Sequence, residues 1–265
     1  MSENRTCILC EGLHDRSFWG GWLKVPLGCT KADLGSNEKF RTSKAGGQHI
    51  FQSLQKNLIC VKPCFGVNRI IEEAKYLIGG DLEQTLSFVL INYDPDSNSS
   101  ESTESGKRLE DIKFDLERDF QTRKILKTVK IDANNEWLEV SDTPDSSVYT
   151  RVGIVRWEVL NEQPKPGLPE KQCLERLVCA AILKAYPERG QLVHDWLLSI
   201  PIDGGVATEE NIIPKAYSWS QMSGWFPKNG CDDFFQAIWR VPKIATQLEA
   251  ILSSNGSWRL ANQVI

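Results

Sequence analysis

Short apolar runs alternate with amphipathic stretches through the first 160 residues of the chain. The runs at residues 6–11 and 85–92 predict buried strands, because each is short and gives way to polar or glycine-containing sequence. Apolar residues recur at helical spacing in residues 15–24, 68–78 and 109–127, and each of these stretches is predicted to form an amphipathic helix. This alternation of strands and helices is typical of an α/β fold.

Two further segments are assigned from weaker patterns. A helix is predicted after the turn at Gly46-Gly47, because four apolar residues fall at helical spacing: Ile50, Phe51, Leu54 and Leu58. Residues 128–131 and 152–157 are predicted to form a pair of strands, which the turn-rich sequence SDTPDSS separates. The second of these segments, with its core GIVRWEV, is expected to belong to the same sheet as the earlier strands.

A proline-rich break, NEQPKPGLPE, divides the chain into two predicted parts. Residues 1–160 are expected to form the α/β core. Residues 161–265 are expected to be mainly helical and to pack on that core or complete it. A polar segment at 97–106 without apolar residues is predicted to be a flexible insertion.

Composition places the chain among ordinary globular proteins, with 41% hydrophobic and 25% charged residues. No apolar stretch approaches the length of a membrane span, and the start MSENRTC lacks the apolar core of a signal peptide. A cytoplasmic protein with reduced cysteines and no membrane partner is therefore expected. The net charge of −4 argues against a broad basic face, so contact with nucleic acid would need local cations, bound metal or a partner protein.

Acidic residues follow both of the first two predicted strands. Glu11 ends the first apolar run, and Asp15 lies four residues later. The second run is followed by Asp94 and Asp96, with Pro95 between them. Because parallel strands end at one edge of an α/β sheet, these carboxylates are expected to gather in one crevice. Such an oxygen-rich set suits a hard cation such as Mg²⁺.

The order of these motifs, strand-EGxxD followed by strand-DxD, resembles the Toprim domain of topoisomerases, primases and OLD-family nucleases. The resemblance covers residues 5–96 and implies a Rossmann-like, mostly parallel sheet flanked by helices. It also implies that Glu11 acts as a metal ligand or general acid/base, with Asp94 and Asp96 as further ligands of an Mg²⁺ or Mn²⁺ site. Asp15 is then the second catalytic acid of the EGxxD motif.

Two later residues extend the resemblance towards the nuclease branch of the family. Glu175 corresponds to an acid that binds a second metal in OLD-like proteins, and Lys215 to a lysine near the scissile phosphate. The resemblance thus implies a nuclease that cleaves DNA or RNA. Small relatives of this kind serve as effector subunits of bacterial anti-phage systems beside an ABC-type ATPase, which is the implied partner here.

Other interpretations remain open at this point. Glu11 and Asp15 could cap or complement the following helix, Glu175 could be a solvated helix residue, and Lys215 an ordinary surface lysine. The whole chain could be a regulatory subunit whose Toprim site no longer cleaves. A topoisomerase or primase is disfavoured, because the chain is short and shows neither a domain with a strand-breaking tyrosine nor a zinc module. No Walker A motif is present, which argues against ATP binding by that route.

Zinc and triad chemistry are also disfavoured. Cys7 and Cys10 lie three positions apart on a predicted strand and so face opposite sides, which argues against a zinc site with Cys60 and Cys64. The chain has three histidines, and none has a spacing to cysteine, serine or acidic residues that indicates a catalytic triad. His14, within EGLHD, is expected to be exposed at the start of a helix.

Overall fold

The computed structural model describes most of the chain, in the ranges 4–32, 47–79, 86–95, 108–144, 146, 148–160, 162–163, 165–225 and 235–265. Asp96 and the polar insertion predicted at 97–106 lie outside the described residues. Among the residues that are described, no helix is both long and apolar enough to cross a membrane.

An eight-stranded sheet forms the centre of the fold. Its strands are β1 Arg5–Cys10, β2 Thr30–Lys31, β3 His49–Gln52, β4 Leu58–Pro63, β5 Phe88–Tyr93, β6 Thr128–Ile131, β7 Leu138–Ser141 and β8 Thr150–Arg156. They are arranged in the order β2-β3-β4-β1-β5-β8-β7-β6. The central strand β1 is parallel to both β4 and β5. The predicted α/β class is confirmed.

The sheet is mostly parallel in strand direction. The Arg151 N–H donates to the Ser87 carbonyl near the start of β8 and β5, at 3.0 Å. The Asn92 side chain donates to the Val155 carbonyl near their ends, at 3.2 Å. β8 therefore runs with β5, and the reversed strands are β3 and β7, which pair antiparallel with their neighbours.

One face of the sheet is covered by α2 (Val67–Gly79) and α3 (Leu109–Arg123). Side chains alternate between the faces of a strand, so Cys7 and Leu9 of β1 point into this layer. They belong to a buried cluster that also contains Ile70, Ala74, Ile112 and Leu116. The helices predicted at 68–78 and 109–127 are thus present, with boundaries within a few residues of those expected.

The opposite face is covered by α1 (Leu13–Lys24) and by the last helix of the chain, α8 (Trp258–Val264). The rings of Trp19 and Trp258 stack with centroids 4.6 Å apart. The Trp19 indole donates to the Asn92 side chain at 2.9 Å, which satisfies both buried polar groups. Thr6 of β1 donates to the Val264 carbonyl at 3.1 Å. The C-terminal helix α8 therefore packs directly on this face of the sheet.

A buried ion pair joins β4 to α2. The Lys62 ammonium lies 2.6 Å from the Glu73 carboxylate, and their side chains are 0% and 5% exposed. Taking these charges out of water is costly, and the close pairing offsets that cost. The Lys62 carbonyl also accepts a hydrogen bond from the Cys10 thiol at 3.4 Å.

The predicted helix after Gly46-Gly47 is wrong, because this segment contains β3, a turn and the start of β4. Phe51 is fully buried, whereas Leu54, which the helical spacing placed on the same face, is 78% exposed in the turn. The chain reverses there through Lys56, whose φ is 69°, and Phe51 then pairs with Ile59. Antiparallel pairing on the sheet has overridden a helical pattern that is only a few residues long.

The two strands predicted around residues 128–131 and 152–157 are present as β6 and β8, but they do not pair with each other. β7 lies between β6 and β8 and pairs with both, so that Val129 faces Val140 and Val140 faces Thr150. The hydrophobic positions of β7, Leu138 and Val140, alternate over only four residues and gave too short a signal for detection.

In the part of the second unit that the structure describes, three further α-helices surround α4 (Leu174–Ala185), which is buried along almost its whole length. They are α5 Pro187–Leu198, α6 Pro214–Met222 and α7 Pro242–Ser254. Each of them packs against α4. A two-stranded hairpin, β9 Pro201–Ile202 and β10 Gly205–Val206, separates α5 from α6. The helical character predicted for the C-terminal region is confirmed.

The chain forms two compact units that are not contiguous in sequence. The first comprises Met1–Tyr93, Lys107–Val155 and Ser257–Ile265, and the second comprises Asp94–Gly106 and Arg156–Gly256. The predicted boundary at residues 160 and 161 lies close to the junction after Val155. The chain returns to the first unit for its final helix.

Candidate metal and catalytic site

Three parallel strands end together at one edge of the first unit. Cys10, the last residue of β1, is paired with Pro63 of β4 on one side and with Asn92 of β5 on the other. Glu11 is the next residue after β1. Ligands in open α/β sheets bind at such an edge, beyond the carboxyl ends of the strands.

The main chain at Glu11 is fixed by the loop after β4. The Glu11 carbonyl accepts hydrogen bonds from the N–H groups of Phe65 at 2.7 Å and Gly66 at 3.3 Å. The Glu11 residue is half-buried. The sheet edge therefore holds the backbone that carries this carboxylate in a defined position.

Asp15 has a structural task in the first turn of α1. Its carboxylate accepts a hydrogen bond from the Gly12 N–H at 2.9 Å, and the residue is 5% exposed. This contact satisfies an N–H group ahead of the helix, and a negative charge there complements the helix dipole. The helix-start role that the sequence left open for Asp15 is thus present. Burial raises the pKa of the neighbouring Cys10 thiol, and the charge of the Asp15 carboxylate raises it further.

Arg16 is a charged residue at this edge that the sequence did not single out. It is 3% exposed, and its guanidinium donates to the Gly47 carbonyl. Gly47 has a φ of 96°, and a Cβ there would lie 3.1 Å from the Arg16 guanidinium, so glycine fits both the backbone and the contact. Its EGLHDR context offered no periodicity or spacing from which this contact could be inferred.

In the second unit, Asp94 lies at the N-terminus of α4. Its Oδ1 accepts the Leu174 N–H at 2.9 Å, so Asp94 caps this helix from eighty positions earlier in the chain. Glu175 is the next residue of the helix and is 5% exposed. Burial raises the pKa of the Cys173 thiol, and the charges of Asp94 and then Glu175 raise it further. Two of the predicted acids therefore gather at one helix end.

Lys215 lies at the second position of α6, after Pro214, and is exposed. Helix α6 packs against α4, the helix that carries Glu175. The Lys215 carbonyl accepts a hydrogen bond from the Ser218 hydroxyl at 3.1 Å. Its ammonium remains accessible to solvent.

A cavity of about 770 Å³ in the second unit is lined by none of the predicted site residues. On its wall, His194 Nδ1 lies 3.1 Å from the Tyr217 hydroxyl, and His194 Nε2 lies 3.4 Å from a Glu209 carboxylate oxygen. Burial raises the pKa of Tyr217, and the charge of Glu209 raises it further. His194 of α5 and Tyr217 of α6 come together through the packing of these two helices, and Glu209 lies in the 3₁₀ turn before α6. No spacing in the sequence indicated them.

Burial keeps the cysteines that the structure describes from acting as exposed nucleophiles. All seven that the structure describes are free and buried. Burial, with the charges of Cys7 and Glu73, raises the pKa of Cys64 to about 12. Thiols with such raised pKa values stay protonated and are poor nucleophiles at neutral pH.

The carboxylates have the chemistry that a hard divalent cation prefers, since Glu11, Asp94 and Glu175 supply only oxygen ligands. Within the described ranges, no three His, Cys, Asp or Glu side chains are grouped so that they could hold a metal ion. The predicted ligand set also includes Asp96, which lies outside those ranges. The residues fit Mg²⁺ or Mn²⁺ by type.

No protein-family model matches the chain, and no curated protein matches it. The crystal structure of the hypothetical protein PH0156 from Pyrococcus horikoshii OT3 is similar to it, with a TM-score of 0.64 and 16% sequence identity. The similarity covers 98% of this chain and 99% of that chain. At this identity, the likeness concerns the fold alone.

Proposed function

We propose that this protein is a divalent-metal-dependent nuclease of the Toprim type. The observation that carries the proposal is the pairing of β1 with β5, in which Cys10 faces Asn92 in parallel register. The acids that follow these strands in the chain, Glu11 and Asp94, are the ones that the Toprim pattern requires. Carboxylates at the ends of adjacent parallel strands are a recurring source of ligand sites in α/β proteins.

Glu11 would be the central carboxylate of the site. Its backbone is held by two hydrogen bonds from the loop after β4, so its side chain pays less entropy to reach a fixed geometry. Asp94, Asp96 and Glu175 would provide further oxygen ligands for Mg²⁺ or Mn²⁺. Asp15 would act indirectly, because its carboxylate fixes the Gly12 N–H beside Glu11. When bound, the metal would lower the pKa of a water molecule and neutralise charge on the phosphate.

The substrate and partner follow from the same resemblance. We propose that the chain hydrolyses phosphodiester bonds in DNA or RNA as the effector subunit of a bacterial anti-phage system, together with an ABC-type ATPase. The net charge of −4 supports a partner that helps to recruit nucleic acid, because a single acidic chain attracts phosphates poorly.

The direct test is digestion of plasmid DNA and of tRNA by the purified chain, with Mg²⁺, with Mn²⁺ and with EDTA. The proposal expects cleavage that requires metal. Metal binding, measured by calorimetry on the same sample, separates an inactive site from an absent one. A chain that binds neither metal nor nucleic acid, alone or with an ABC-type ATPase partner, would contradict the proposal.

A silent regulatory subunit is the second candidate, and one contact favours it. Asp94 already uses Oδ1 to cap α4, so its carboxylate has a sufficient structural reason to be present. A Toprim fold that had lost catalysis could retain this residue for the helix alone.

Two substitutions of Asp94 distinguish these candidates. Asp94→Asn keeps an oxygen for the Leu174 N–H but removes the charge, whereas Asp94→Ala removes both. If Asp94 binds metal, both variants lose cleavage, and Asp94→Ala also loses about 0.5–2 kcal/mol of unfolding free energy, as for other lost caps. Cleavage rates and urea denaturation measure the two effects. Wild-type cleavage by Asp94→Asn would leave only the capping role.

Lys215 is expected to stabilise charge that develops on the phosphate. Lys215→Ala should lower the cleavage rate by roughly 10²-fold, as loss of one electrostatic stabiliser commonly does, with metal affinity unchanged. Lys215→Arg should restore little activity, because a planar guanidinium differs from a compact ammonium. The matched control is Lys243→Ala, since Lys243 also follows a proline at the second position of a helix. Equal rates for the Lys215 and Lys243 variants would remove Lys215 from the mechanism.

A further inference from the structure

Phe65 occupies an unusual position at the edge of the sheet. It comes directly after the strand segment β4 and Cys64, and its φ is 61°, in the left-handed region. Residues with a Cβ are disfavoured there, and a bulky side chain is rare. Its ring is nevertheless 50% exposed, so burial of the side chain does not account for the strained backbone. Strain of this kind is concentrated at functional sites.

The strained backbone is tied to Glu11. The Phe65 N–H donates to the Glu11 carbonyl at 2.7 Å, and the Gly66 N–H reaches the same oxygen at 3.3 Å. These hydrogen bonds hold the loop in the conformation that turns the aromatic ring towards solvent. The exposed ring is therefore fixed next to the residue proposed as the central carboxylate.

The segment after Phe65 has the chemistry of a phosphate-binding site. Helix α2 begins at Val67, and Asn68 and Arg69 in its first turn are exposed. The first turn contains no acidic residue that would repel an anion. The N–H groups of Arg69 and Ile70 already donate to the Gly66 carbonyl, so those of Val67 and Asn68 are the ones at the start of the helix that could face a phosphate. The N–H groups of a first helical turn and an adjacent guanidinium are both favourable to a phosphate group.

The acidic residues further along α2 do not neutralise the positive charge at the start of the helix. Glu72 pairs with Lys75 at 2.8 Å, and Glu73 pairs with the buried Lys62. Each of these carboxylates is thus compensated by a lysine. Arg69 gives the exposed start of the helix a local positive charge, on a chain whose overall charge is negative.

We propose that the segment Phe65–Arg69 binds one nucleotide of a single-stranded nucleic acid beside Glu11. Phe65 stacks on the base, and Arg69 together with the start of α2 binds the neighbouring phosphate. Stacking on an aromatic ring needs a base that is not paired, which specifies single-stranded substrate. This inference rests on the proposed nuclease function and specifies the form of nucleic acid that its site accepts.

The test uses fluorescence anisotropy of the full chain in EDTA, which prevents metal-dependent cleavage. The probes are a labelled oligodeoxythymidine and an abasic strand of the same length, which carries the phosphates without the bases. The variants are Phe65→Gly, Phe65→Trp and Arg69→Gln. Phe114→Ala and Arg118→Gln are the matched controls, because Phe114 is 62% exposed and Arg118 is an exposed arginine, both on α3 of the same unit.

Phe65→Gly is expected to weaken binding of the base-containing strand by roughly 5- to 150-fold, the range for loss of one base–aromatic contact. Binding of the abasic strand should not change. Phe65→Trp should bind the base-containing strand at least as well as the wild type. Arg69→Gln should weaken binding of both strands, because both carry phosphates, and the α3 variants should bind as the wild type does.

Thermal denaturation shows whether Phe65→Gly loses binding because it loses the ring or because it is less stable. Glycine adopts a φ of 61° without strain, so Phe65→Gly should melt at or above the wild-type temperature. Weakened binding then reports the lost ring. If the wild type binds both probes equally and Phe65→Gly changes nothing, the nucleotide site is wrong while the nuclease proposal stands. A wild type that binds neither probe overturns the nucleotide site, and digestion with Mg²⁺ or Mn²⁺ then decides the nuclease proposal separately.

Discussion

Glu11→Ala is expected to reduce metal-dependent cleavage to background while leaving the fold intact. The reason is that Glu11 follows the central strand β1 and would provide the central carboxylate of the site, whereas its side chain is only half-buried. Loss of such a side chain should change the free energy of unfolding by no more than about 0.5 kcal/mol. Cleavage rate and thermal denaturation, measured on the same preparation, check both parts of the prediction.

Two further variants make this comparison specific. Glu11→Gln retains the shape and removes only the charge, so it should be as inactive as Glu11→Ala if the carboxylate binds metal. Glu110→Ala removes an exposed acid from the first turn of α3 and should alter neither measurement. Wild-type cleavage by Glu11→Ala would exclude Glu11 from catalysis and, with it, the Toprim assignment.

Glu73→Gln should produce the largest loss of stability among the variants considered. It leaves the fully buried Lys62 without its charged partner 2.6 Å away. Removal of one member of a buried ion pair typically costs about 3–5 kcal/mol of unfolding free energy, because the remaining charge is desolvated and uncompensated. Urea denaturation of the variant at neutral pH measures this loss.

The neighbouring residue provides the control. Glu72→Gln breaks the ion pair with Lys75, in which the Glu72 side chain is 71% exposed, and should cost less than about 1 kcal/mol. The double variant Lys62→Met with Glu73→Met removes both buried charges and should recover most of the stability. Equal effects of Glu72→Gln and Glu73→Gln would show that burial does not determine the strength of this pair.

The fold class was accessible from the sequence because its strongest patterns are long or fully apolar. The run that became β1 and the amphipathic stretches that became α2 and α3 were found within a few residues of their ends. Each buries a continuous face, and periodicity reports burial directly. Short elements were not accessible: β3 was mistaken for a helix, and β7 was missed, because four residues give too few repeats of any period.

The candidate site shows the same division between what local sequence patterns reveal and what they do not. Glu11 and Asp94 were singled out because each follows an apolar run, and this depends only on neighbours in the sequence. The contacts that Glu11 and Asp94 make in the folded chain could not be predicted from the sequence. The cap that Asp94 provides for Leu174 joins residues eighty positions apart.

By itself, then, the sequence determined that two apolar segments become the central strands β1 and β5 and which acids follow them, because local hydrophobic patterns specify both. Only the tertiary structure decided what surrounds those acids. It set the parallel register of β1 between β4 and β5 and the buried pair between Lys62 and Glu73. It also fixed the left-handed turn that presents Phe65 beside Glu11. These features depend on contacts between segments distant in the chain, and pairing and packing energies, which no local pattern encodes, select them.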